Sequence, residues 1–188
     1  MNSTLLQFFN NAPKVAEQIP ELTFLGDDIL KTKTIFTNFE TALKVCEDLT
    51  KTLIKMREIT GIGRGLAAVQ IGSNERCFIT FVDNEFQYFI NPKITKYSNN
   101  TNWYRENCLS CGPITCNLNR SENITLKFID KEGNTQEKIY DQFWARLLQH
   151  EYDHLEGVVN ITKTKPEDIE LLKRSPLEEK LQESNEQA

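Results

Sequence analysis

Apolar positions set the first strong signal at Phe39, Ala42, Cys46, Leu49, Leu53 and Met56. Their 3-4-3-4-3 spacing is one face of an amphipathic helix. Thr37 with Glu40 three residues on fits a capping box, and Gly61, Gly63 and Gly65 stop the pattern. The runs Cys77–Val82 and Phe86–Ile90, parted by Asp83-Asn84, predict a hairpin. Pro92 cannot donate to a ladder, which predicts a strand end or sheet edge there. Residues 124–129 alternate, residues 131–134 read as a turn, and residues 136–140 form its return strand. A second helix runs from an N-cap at Asp141 to Gly157, with Phe143, Leu147, His150 and His154 on one stripe.

These elements predict an α+β domain, with strands packed around a central helix that carries both histidines. Residues 1–20 read as an irregular arm or short helix, residues 21–162 as the body, and residues 163–188 as an acidic helical tail broken at Pro176. No repeat or low-complexity tract interrupts the 188 residues. The body is long enough to bury a core of its own.

Composition narrows the function classes. Hydrophobic residues at 39% and charged residues at 26% exclude wholesale disorder. No apolar run nears the roughly 20 residues of a spanning helix, so no membrane partner is expected. Residues 1–20 lack a basic start and a long apolar stretch, which argues against a secretory signal and for a cytoplasmic protein, with an organelle form as the alternative. Net charge is −5, and most of it falls after Lys165, where seven acids face three bases. The nearly neutral body offers no basic stripe for nucleic acid. The five scattered cysteines are odd in number, and suit buried thiols or metal ligands better than a disulfide framework.

The two histidines are the whole complement of the chain, and both lie in His150-Glu151-Tyr152-Asp153-His154. Side chains at i and i+4 share a helix face about 6 Å apart, so two imidazoles there can grip one metal ion. Glu151, one residue on, is placed to act on a water held by that ion. A catalytic site needs a third protein ligand, which must be a thiolate or a carboxylate. Cys46 and Cys77 fall in apolar elements and read as packing residues, leaving Cys108, Cys111 and Cys116. Two rivals stand beside this reading. Cys108 and Cys111 with both histidines would make a closed structural zinc site, in which Glu151 has no role. An HExxH metallopeptidase would instead draw its third ligand from Glu156, Glu167 or Glu170. The glycines at 61, 63 and 65 lack the Gly-Lys-Ser/Thr ending of a phosphate loop.

Three separated motifs carry a resemblance: Gly63-Arg64-Gly65-Leu66-Ala67-Ala68-Val69-Gln70, Glu106-Asn107-Cys108-Leu109-Ser110 and Gln149-His150-Glu151-Tyr152-Asp153-His154. In sequence and order they resemble the peptide deformylases, over roughly residues 22–159. The resemblance implies Cys108, His150 and His154 as metal ligands, with water completing the site. It implies Glu151 as general base and then acid, and the Gln70 amide with the Leu109 N–H as oxyanion donors. The implied reaction removes the formyl group from formyl-methionyl peptides and releases formate. The implied metal is iron(II), with zinc, nickel or cobalt able to replace it. The translating ribosome is a candidate partner, although an acidic tail suits RNA poorly.

The substrate is expected to lie along Gly63, Arg64, Gly65 and Glu106, with Phe143 and Leu147 walling a methionine-sized pocket. Asp153 is expected to pair with Arg120 and brace the helix. Some positions depart from the family pattern, Cys111 and Cys116 among them, which stand where apolar residues are common and are expected to be packing thiols. Asn107 stands where glycine is usual, which suggests a left-handed backbone there, and Arg64 stands where an apolar residue is frequent.

Overall fold

The computed structural model describes residues 3–171, with side chains from Asn10 onward. Three helices, α1 (Ser3–Gln18), α2 (Phe39–Thr60) and α3 (Gln142–Leu155), combine with eight strands. Strands β1 (Gly65–Ala67), β2 (Cys77–Val82), β3 (Glu85–Tyr97), β6 (Asn123–Ile129) and β7 (Thr135–Asp141) form one antiparallel sheet in the order β1-β2-β3-β6-β7. Strands β4 (Thr101–Asn107), β5 (Ile114–Ser121) and β8 (Ile169–Leu171) form a second, three-stranded sheet.

The larger sheet is covered on both faces, which explains why β2 is buried continuously from Cys77 to Thr80 rather than on alternate residues. Cys77 and Ile79 join Ile90 in a cluster with the α2 stripe Ala42, Cys46, Leu49, Leu53 and Met56. Phe78 and Phe89 point the other way, into a cluster with Ala145, Leu148 and Leu155 of α3. Helix α3 touches strands of both sheets. It is therefore held between them, and side chains on its buried face cannot move independently of either sheet.

Several expectations need correction. The N-cap of α2 is Asn38, whose side chain accepts from the Thr41 N–H at 2.9 Å, not Thr37. Of the two alternatives for the first 20 residues, arm or short helix, the helix is found as α1, and Val15 and Ile19 enter the α2 cluster, so this segment is part of the core. Pro92 lies inside β3 rather than at its end, in a bulge where the register with β6 slips between Ile90 and Lys93. The bulge removes the need for a proline N–H. The carbonyl of Pro92 accepts from buried Arg76 Nε at 3.0 Å. The expected acidic helix from residue 163 starts instead as a short turn and strand β8, paired with β5 through Cys116 and Ile169. Its remainder, residues 172–188, lies outside the described residues.

Candidate active site

Helix α3 delivers three of the chemical groups. Its backbone stops cleanly: Gly157 takes φ +73°, and a Cβ there would collide with the carbonyl of Lys31. Within its last two turns, His150, Glu151 and His154 project toward the junction of the two sheets. The fourth group, Cys108, stands at the exit of β4, where a 3-10 turn (Leu109–Cys111) begins. Cys108 Sγ lies 3.3 Å from His154 Nε2. The ligand atoms of Cys108, His150 and His154 all fall within 4.8 Å of one another. Among the described residues, no other His, Cys, Asp or Glu group has this property.

Electrostatics reinforce the cluster. A hydrogen bond from Cys111 and the charge of His154 hold the Cys108 thiol well below its ordinary value, against the effect of burial. His150 Nδ1 donates to Glu106 Oε2 at 3.0 Å, which turns Nε2 toward the cluster. Burial would raise the Glu106 carboxyl, but Arg120 and His150 outweigh it and keep the group ionised. Arg120 grips Glu106 through Nε at 2.5 Å and Nη2 at 2.8 Å, and also reaches Asp153 Oδ2 at 2.7 Å. Arg146 adds a further bond to Glu106 Oε1 at 2.6 Å.

Glu151 behaves differently from every other acid nearby. It is 3% exposed, its Oε2 has no partner, and burial pushes its carboxyl up to about 7. His154 Nδ1 is likewise buried without a partner. The glycine motif explains how Glu151 fits: a Cβ at Gly65 would overlap its carboxylate. Close approach of β1 to α3 thus requires glycine at this position.

Gln70 is fixed at both ends. Its Oε1 accepts the Ala67 N–H at 2.9 Å, and its Nε2 donates to Ser110 Oγ at 3.0 Å while lying 3.9 Å from Cys108 Sγ. The segment after α1 laces the two turns together, since Thr23 N donates to Gln70 O at 2.9 Å and Leu25 N to Ser110 O at 2.8 Å. Leu109 follows Cys108 at the start of its turn, where the first N–H groups have no partner within the turn.

The substrate-facing expectations fare unevenly. Gly65 abuts Glu151 whereas Gly63 lies against Leu53, Leu109 and Arg57, and Arg64 is exposed with its guanidinium 5.0 Å over the Phe143 ring. Phe143 is 41% exposed and Leu147 half-buried on the same helix face. Glu106, expected at the substrate, is instead turned inward, both oxygens taken by Arg120, Arg146 and His150. Asn107 does not adopt a positive φ; its side chain donates to the carbonyls of Gly112 (3.0 Å) and Ile114 (3.1 Å), tying the loop shut.

Cys111 is not in the ligand cluster; its thiol touches Cys108 and lies 3.5 Å from Asn160 Oδ1. Glu156 is committed to Arg76 and Lys33. Sequence reasoning passed over Ser110, which orients Gln70, and Arg146, which helps hold Glu106. A basic residue four before His150, on the ligand stripe, was the available signal for Arg146.

Known proteins similar to this chain in sequence and fold converge on one family. The profile of the polypeptide deformylases matches residues 19–170. Peptide deformylase of Pseudothermotoga lettingae is 34% identical over 145 residues, covering 76% of this chain and 81% of that protein. The Treponema pallidum enzyme is 36% identical over 141 residues, covering 74% and 84%. The crystal structure of peptide deformylase from Thermotoga maritima superposes with TM-score 0.65 at 33% identity, over 77% of this chain and 97% of that one. That of Synechococcus elongatus, in complex with actinonin, gives TM-score 0.66 at 26% identity, over 77% and 78%. The chain belongs to the polypeptide deformylase family.

Proposed function

We propose that Cys108, His150 and His154 hold one divalent metal ion and that Glu151 is the proton carrier in the removal of the formyl group from formyl-methionyl peptides. The donor set fits such an ion: one thiolate and two imidazoles converge, and a buried carboxylate beside them has an oxygen without a partner. A thiolate with two imidazoles suits iron(II) or zinc, with iron(II) our assignment for the native ion. When bound, the cation supplies the Lewis acidity that makes water nucleophilic near neutral pH.

The residues do the rest. Glu151 Oε2 accepts a proton from the attacking water as its oxygen bonds to the formyl carbon. Charge then develops on the formyl oxygen, where Gln70 Nε2 and the Leu109 N–H donate; each such donor is worth about 10²–10³ in rate. Glu151 passes the proton to the departing nitrogen, the C–N bond breaks, and formate and a free amine leave. Gln70 is well suited to its part, because Ala67 and Ser110 fix the amide before substrate arrives. Arg120 and Asp153 hold α3 against β5, and Glu106 holds His150.

The carrying observation is Glu151 itself: a buried carboxylate with a free oxygen beside the ligand cluster. Formate release from formyl-Met-Ala-Ser by the metal-loaded protein tests the assignment. Glu151→Ala should lose about 10²–10⁴ in kcat, with metal content measured on the same sample unchanged. Full activity in that variant sinks the role given to Glu151.

A further inference from the structure

Gly65 is explained by its contact with Glu151, but its neighbour Arg64 is not used by the chemistry above. The backbone of Arg64 is fixed, its carbonyl accepting the Phe81 N–H at 2.7 Å. The side chain leaves the start of β1 and lies over Phe143, two turns before His150 on α3. It therefore bridges β1 and α3 one residue from the glycine that abuts Glu151. Stacking uses the face of a guanidinium and leaves its in-plane N–H groups free to donate.

Charge around the site is uneven. Glu106 is neutralised by Arg120 and Arg146, and Asp153 by Arg120 and Lys163. Arg64 has no carboxylate partner among the described residues. Arg57 is in the same position: its Nη1 donates to Gly63 O at 2.7 Å, and its guanidinium sits 4.5 Å from the centre of the Phe81 ring. Two guanidiniums thus sit at residues 63 and 64 with no carboxylate partner among the described residues, beside a strand that among those residues pairs only with β2 and lies at the edge of its sheet. An extended peptide lying along that edge would carry its side chains past Arg64.

We infer that Arg64 is a specificity-determining residue, favouring peptides with Asp or Glu in the one or two residues after formyl-methionine. The inference rests on the proposed deformylase activity. Because Arg64 is exposed, its pull on a carboxylate is screened by water and salt, and the preference is modest.

The test compares amide-capped formyl-Met-Asp-Ser with formyl-Met-Lys-Ser on the metal-loaded protein. At low ionic strength kcat/KM should favour the aspartyl peptide by about 3- to 10-fold, and high salt should erase most of that ratio. Arg64→Gln should bring the ratio close to one, and Arg64→Glu should invert it. Inhibition by the product Met-Asp-Ser should weaken in Arg64→Gln, which reads binding without turnover. Equal rates for the two peptides in the wild type, or a ratio that survives Arg64→Gln, overturn the inference while leaving the activity in place. Absence of formate from both peptides overturns the activity and the inference together.

Discussion

Helices α2 and α3 are both amphipathic and both buried against the larger sheet, yet they bury opposite things. On α2 the inward face is Ala42, Cys46, Leu49, Thr52, Leu53 and Met56, and its one polar member, Thr52, donates to Glu21 Oε1 at 2.9 Å. On α3 the inward face includes Gln149, Glu151 and His154, and two of these carry buried atoms without partners. Each unpartnered polar group costs about 1–3 kcal/mol, whereas a buried leucine contributes about 1.5–3 kcal/mol. One helix supplies stability, and the other holds groups in states that water would relax. The domain tolerates α3 because the strands of both sheets over-determine where it lies.

The largest expected effect falls on the ligand cluster. Cys108→Ala removes the only thiol among the three proposed ligands, and should lose both the metal and the activity. Losing an outer partner of a ligand already costs 10- to 100-fold in such sites, so a ligand itself should cost more than about 100-fold in formate release. Metal analysis after dialysis checks the cause. A Cys108→Ala protein that keeps stoichiometric metal and most of its rate would mean that the α3 side of the comparison has been misread.

What could be read from the sequence divides along the same line. The α2 stripe was legible because an apolar periodicity needs no partner to be recognised, and all but one of its residues are buried in the cluster named for it. The spacing of His150, Glu151 and His154 was legible because i to i+4 geometry is local. Cys108 came from resemblance alone; nothing local distinguishes it from Cys111, three residues away. Strands β4 and β5 were missed, since Asn102, Arg105, Asn117, Asn119 and Arg120 break any apolar alternation. Their polarity is the point: Arg120 and Glu106 are buried because they serve each other and His150, not because they are apolar. Glu106 was assigned to the substrate for the same reason, as a single sequence does not show which way a strand residue faces when its neighbours are all polar.

Stability should separate the helices by sign. Leu49→Ala on α2 leaves a void in a fully buried position and should cost about 2–5 kcal/mol, a fall in Tm of very roughly 5–15 °C. Formate release by the folded protein should be unaffected, as Leu49 packs in the α2 cluster and is none of the groups assigned to the chemistry. Glu151→Leu on α3 should abolish activity and yet leave Tm equal to the wild type or higher, because it removes a buried oxygen that has no partner. Calorimetry on the two variants decides the matter: a Glu151→Leu protein destabilised as much as Leu49→Ala would show that the carboxylate holds the fold together.

The smallest effect concerns how each helix begins. Asn38 caps α2 with a side-chain bond to the Thr41 N–H, whereas Asp141 precedes α3 with no such bond. The start of α3 is held instead by its neighbours: Gln142 adopts φ +46° and donates its N–H to Glu122 O at 2.9 Å, and Asp141 is the last residue of β7, paired with Asn123. Asn38→Ala should therefore cost about 1 kcal/mol, a drop of about 2–4 °C for a chain of this length. Asp141→Ala should cost less than half as much. Equal losses would mean that α3, like α2, depends on its own first turn; unequal losses fit a catalytic helix whose position is set by the strands on either side of it.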